Sequence, residues 1–172
     1  MSEFQQVQTI SDRGIALVKM FTGYHSSAFC DDSGAWVVGY GHAGTVDGRP
    51  VASGVTVTVE QAETLLRSDL LQAEVAVREY ITRPLKQCEF DALVSFQLSG
   101  GRLRCSTLRH LLNAAAPAEQ CAREFLKAVY LVRWIPASTR RGAKSSAVQT
   151  RVISRALQNR RIVERDFFLG RR

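Results

Sequence analysis

The chain has 172 residues, 45% hydrophobic and 23% charged, which is long enough for one ordinary core without metal or disulfide staples. This composition excludes a wholly disordered chain, and no run approaches the roughly 20 apolar residues of a helical membrane span. A formal net charge of +7 favours an anionic partner without selecting one.

The opening stretch MSEFQQVQTISDRG has neither the basic nor the apolar region of a signal peptide, so the expected site of folding is the cytoplasm. From Ile10 to Phe21, the stripe Ile10, Gly14, Leu17, Val18 and Phe21 predicts a short first helix, with Ser11 and Asp12 as cap candidates. Thr22 follows at its end. Between Ala28 and Val59, glycines, β-branched residues and short alternations predict a small antiparallel sheet. Turn signals fall at Asp31 to Gly34 and at Asp47 and Gly48, and AWVVGYG is one of the strands.

After Thr58, a cap residue, the segment VEQAETLLRSDLLQAEVAVREYI reads as one long helix with Leu65, Leu66, Leu70, Val75 and Val77 apolar and Glu60 in its first turn. Pro84 opens the next element. CEFDALVSFQLSGG is apolar on most sides, as in a helix buried within a larger lobe, and Gly100 and Gly101 stop it. STLRHLLN, PAEQCAREFLKAVYLV, AKSSAVQTRVISRALQNRR and IVERDFF are read as further helices. No repeat or linker divides the chain, so residues 1–172 read as one domain, about 10–60 forming the first helix and sheet and about 60–169 a helical lobe.

Cys30, Cys88, Cys105 and Cys121 lack the short paired spacing of zinc or redox motifs. Isolated cysteines in a cytosolic chain read first as small buried hydrophobes, with a disulfide or functional thiol as the alternative. Positive charge gathers late, at Arg140, Arg141, Lys144, Arg151, Arg155, Arg160, Arg161, Arg165, Arg171 and Arg172. A solvated helical face is the ordinary reading of such a cluster, and a specific electrostatic role is the competing one.

The segment GIALVKMFTGYHSSAFCDDSGAWVVGYGHAG, Gly14 to Gly44, resembles the active-site segment of the phage-type lysozymes, glycoside hydrolase family 24. In that family a glutamate is followed after eight residues by an aspartate and after five more by a threonine. The matching positions here are Thr22, Asp31 and Val37. LLRSDL, FDALVSFQLSGG, CSTLRHLLN and LQNRRIVERDFF resemble later segments of the family in the same order, so the likeness covers roughly Ile10 to Leu169. It implies an α+β, mostly α, lysozyme-like fold with a small N-terminal β-containing lobe and a larger helical lobe.

Inverting glycoside hydrolysis needs one carboxylic acid to protonate the leaving oxygen and a second polar centre to activate water on the opposite face. The resemblance makes the glutamate the acid, the aspartate the base side and the threonine a holder of the water. Of the three, Asp31 alone is kept. Thr22 cannot ionise near neutral pH, and Val37 puts two methyls where a hydroxyl would orient water. Ser99 stands where many members carry asparagine. Asp31 can also be plain turn chemistry, and its neighbour Asp32 is one residue too far from Thr22.

His42, in GYGH, is read as a structural histidine whose partner by resemblance is Asp69, in preference to a general acid or base. Trp36 and Tyr40 are aromatic faces suited to sugar stacking, although core packing is their commoner fate. Trp134 is assigned to the helical lobe. Nothing places Glu89, Glu119 or Glu164 in a cleft as a replacement acid. His25 and His110 have no partner motif, so no metal site and no cofactor is expected.

These readings make the chain a catalytically inactive or severely impaired lysozyme-like protein that binds peptidoglycan or a protein partner through the old substrate cleft. The alternative is an active endolysin that cleaves the bond between N-acetylmuramic acid and N-acetylglucosamine with a relocated acid. A nucleic-acid or membrane-surface module ranks last, since no recognised nucleic-acid motif accompanies the charge. To act at the cell wall or in the periplasm, such a chain would need a holin lesion or a secretion apparatus.

Overall fold

The computed structural model describes residues 7–135 and 148–171. Helix α1 spans Asp12–Thr22, with the Ser11 side chain accepting from the Gly14 N–H. It is followed by strands β1 (His25–Cys30), β2 (Trp36–Gly39), β3 (Thr45–Val46) and β4 (Arg49–Pro50), which form two antiparallel pairs. The long helix α2 (Val59–Tyr80) starts at a full capping box: the Thr58 hydroxyl accepts from the Gln61 N–H, and the Gln61 side chain accepts from the Thr58 N–H. Helices α3 (Gln87–Leu98), α4 (Thr107–Asn113) and α5 (Ala118–Phe125) follow, then a third antiparallel pair, β5 (Tyr130–Ile135) with β6 (Val148–Ile153), and helix α6 (Arg155–Phe168). No helix among the described residues is long and apolar enough to cross a membrane.

Helix α3 is the centre of the larger lobe. Phe90, Ala92, Leu93, Val94 and Phe96 are buried on all sides of it, against α1, α2 and α6. Close approach of α1 needs Gly14, because a Cβ there would fall 2.8 Å from Asp91 Cγ. The smaller lobe has its own cluster of Val38, Val51, Val57 and Ala62, with Leu65 packed against it. Gly39 joins this cluster to α2: its φ is +62°, and a Cβ would sit 2.9 Å from Ala62 Cβ.

Three sequence expectations change. The helix read from Pro117 to Val132 ends at Phe125, and Tyr130–Ile135 is a strand. The segment before Arg155 is its partner strand, with Tyr130 opposite Ile153 and Val132 opposite Arg151. YLVRWI and VQTRVI are rich in β-branched and aromatic residues, and pairing lets each satisfy the other's backbone. Second, Val75 points outward at 51% exposure, while Leu66, Leu70 and Val77 carry the buried face of α2. Third, Cys30 and Cys105 are exposed, so only Cys121 is the fully buried hydrophobe expected; all four are free thiols. Burial pushes the Cys121 thiol up from its usual range. The Trp134 side chain lies outside the described residues.

Of the late basic residues, Arg140, Arg141, Lys144 and Arg172 lie outside the described residues, and the others are not a uniformly solvated face. Arg160 and Arg161 are buried in α6 around Glu164, which is fully buried. Glu164 Oε1 accepts from Ser95 Oγ at 2.6 Å and from Arg160 Nε at 2.9 Å, and Oε2 accepts from Arg161 Nη1. Burial lowers the Arg160 pKa, opposed by the Glu164 charge. Removing the anion would leave two interior cations uncompensated, so Glu164→Gln should cost about 3–5 kcal/mol. The expected result is a large drop in the denaturant midpoint without a change of fold in the surviving native state.

Candidate active site

Thr22 is the last residue of α1, where Gly23, at φ +63°, breaks the helix and returns its N–H to Lys19 O. The Thr22 hydroxyl donates back to Val18 O at 3.1 Å, the intrahelical bond a threonine makes when no outside acceptor claims it. Its methyl faces Gly41, where a Cβ would lie 3.6 Å from Thr22 Cγ2. Gly41 in turn lines an open cavity of about 520 Å³ with His42, Asp69, Gln72 and Gln97.

His42 Nδ1 lies 2.9 Å from Asp69 Oδ2 and 3.1 Å from Oδ1. A carboxylate only accepts, so Nδ1 carries the proton. The bond ties the β2–β3 connection to α2 across the cavity wall.

Asp31 follows β1 and organises the turn into β2. Its Oδ1 accepts from Ser33 N at 2.8 Å, Ser33 Oγ at 2.6 Å and Ala35 N at 3.0 Å. One carboxylate oxygen is thus committed to local backbone, as in an Asx turn. The residue also lines a cavity of about 360 Å³ with Asp32, Ser33, Leu131, Ser154 and Leu157. The turn role and the cleft role coexist in one side chain.

Val37 is 6% exposed and faces Phe29 across the β1–β2 pair. Trp36 is exposed at 37%. Tyr40 is half-buried, 5.9 Å from the Tyr24 ring and with Lys19 Nζ 5.0 Å from its own centroid. Lys19 Nζ also bonds Glu63 of α2. That bond holds the Glu63 carboxyl below the usual carboxylate range, with Tyr40 adding to the effect, while burial and the Glu63 charge push Tyr40 up. Glu63 was not singled out by sequence. It meets α1 one turn before Thr22, but a donor acid needs a raised pKa, and here the ionised form is favoured.

The remaining carboxylates considered from sequence are engaged elsewhere: Glu89 with Arg83, Glu119 with Arg171, and Glu164 as described. Among the described residues no cluster of His, Cys, Asp and Glu could hold a metal.

The sequence profile described as Phage lysozyme matches residues 19–161. The chain belongs to the phage lysozyme family. The endolysin of Salmonella phage P22 is 39% identical over 106 residues, covering 60% of this chain and 73% of the relative. An endolysin from Escherichia coli O157:H7 phage FAHEc1 superposes with a TM-score of 0.77 at 32% identity, covering 96% of both chains. The muramidase domain of SpmX from Asticaccaulis excentricus gives 0.71 at 30% identity, covering 94% of this chain and 98% of that one. The lysozyme-like fold is therefore established at sequence and structural level.

The bonds of Asp31 give a test of its structural share. Asp31→Ala strands two N–H donors and should destabilise the chain by about 1–2 kcal/mol. Asp31→Asn keeps an acceptor oxygen and should cost clearly less, both read from urea unfolding.

Proposed function

We propose that this member of the phage lysozyme family is a pseudo-muramidase, catalytically inactive or severely impaired, that binds peptidoglycan glycan strands through the former substrate cleft. The observation that carries the reading is Thr22, which stands at the acid's motif position with its hydroxyl bonded back to Val18 O. Loss of a general acid lowers rates by about 10² to 10⁴, or roughly 3–5.5 kcal/mol of barrier.

The other position supports the same conclusion. Val37 offers no hydroxyl to hold water, and its methyls are buried in the small lobe. Asp31 remains as the base-side carboxylate, and one carboxylate does not complete an inverting displacement. Glu63 is bonded to Lys19, one turn before Thr22, and that ion pair favours its ionised form over the protonated form a donor needs. Trp36 and Tyr40 supply aromatic faces beside these positions, and His42 with Asp69 braces the β2–β3 connection against α2.

Purified sacculi provide the assay. The expected outcome is co-sedimentation of the chain with sacculi, without loss of turbidity and without release of reducing ends at any pH from acid to neutral. Turbidity loss abolished by Asp31→Asn would instead establish an active endolysin with a relocated acid. Failure to sediment with sacculi would assign the cleft to a protein partner.

A further inference from the structure

Beside the Asp31 cavity lies a second one, of about 390 Å³, that shares Ser33, Leu131 and Leu157 with it. Its walls come from the Ser99–Arg102 turn after α3, from β5 and β6, and from α6. Three guanidinium side chains line it: Arg102, Arg151 and Arg161. No carboxylate is among its described lining residues, although Asp31 and Asp32 line its neighbour.

The three arginines differ in kind. Arg161 is fixed and 1% exposed. Its bonds to Ala128 O, Ser99 Oγ, Ser99 O and Glu164 Oε2 leave one of a guanidinium's five N–H groups. The buried group beneath the cavity, Arg160, Arg161 and Glu164, carries more positive than negative charge. Arg102 and Arg151 are exposed, and their side chains have no hydrogen bond or ion pair among the described residues. Arg102 is also held left-handed, at φ 45° and ψ 51°, a conformation that glycine adopts freely and arginine does not. Tyr130, 53% exposed, adds an aromatic face on the same wall.

A cavity with two unpaired arginine side chains beside a fixed guanidinium suits a carboxylate, which arginine binds through paired N–H donors. We propose that this cavity receives the carboxylates of the peptide stem when a peptidoglycan strand lies in the adjoining groove. The assignment rests on the glycan-binding reading above and adds to it a basis for distinguishing stem-bearing glycan from its neutral forms.

Titration calorimetry with a soluble N-acetylglucosaminyl-N-acetylmuramyl peptide, and with the same fragment after amidation of its stem carboxylates, tests the proposal. The wild-type chain should bind the carboxylate form about tenfold tighter, with a preference that weakens as salt rises. Arg102→Gly and Arg151→Gln should each remove most of that preference and leave binding of the amidated fragment unchanged. Arg102→Gly relieves the left-handed backbone, so its melting temperature should not fall. Equal binding of the two forms by wild type would overturn the carboxylate site while leaving glycan binding intact. Binding of neither form would overturn the glycan reading and this site with it. Equal affinity for an acidic peptide lacking glycan would overturn the assignment to peptidoglycan in favour of a protein ligand.

Discussion

One fully buried carboxylate, Glu164, sets the geometry of the larger lobe. It lies between Arg160 and Arg161 on its own helix and receives the Ser95 hydroxyl from α3. Taking such ions out of water is costly, and the arrangement holds only because nearly every donor meets an acceptor. Its reach extends past the ion pair. Arg160 bonds Ser95 O, and Arg161 bonds Ser99 O at the end of α3 and Ala128 O just before β5. The turn after α3 and the entry to the β5–β6 hairpin are both walls of the arginine cavity, so one interior anion fixes the outline of a surface feature.

The smaller lobe depends on a different constraint, the fit of a glycine-marked hairpin against α2. Gly39 lies against Ala62, Gly41 beneath Thr22, and the His42–Asp69 bond closes the connection. None of these features needs a carboxylate at residue 22. Threonine ends α1 with a hydroxyl bonded to the helix itself, and valine at residue 37 joins the buried face of its strand. Both residues satisfy the local physics of the fold, so the framework carries them without a packing defect. At residues 22 and 37 chemistry and scaffold are separable, whereas Asp31 serves the β1–β2 turn as well.

Much of this architecture is legible in the residues. Ser11 and Thr58 announce helix starts, Gly100 and Gly101 announce the end of α3, and the all-round apolarity of FDALVSF marks its burial. The β5–β6 hairpin was not legible, because YLV and TRVI sit between helical stretches and their strand character appears only once each has the other as partner. The burial of Arg160 and Arg161 was hidden for a similar reason: charge in sequence suggests water until a buried Glu164 and three backbone carbonyls are brought to it in space. At the candidate site, the family resemblance singled out Thr22, Asp31, Val37, His42 and Asp69, of which the fold bonds His42 to Asp69, whereas the arginine cavity gathers residues from several separate regions and leaves no local pattern. The bond of Lys19 to Glu63 likewise joins residues of two helices that no spacing rule connects.

On the proposed reading, this member of the phage lysozyme family lacks proton donation and not the groove. The most direct test is the rate of reducing-end release from sacculi by the Thr22→Glu, Val37→Thr double variant, compared with the wild-type chain at matched folding. The account predicts no release above background for wild type and a gain of about 10² to 10⁴ for the variant, the range that general-acid catalysis supplies. Wild-type release that the double exchange leaves unchanged would contradict it.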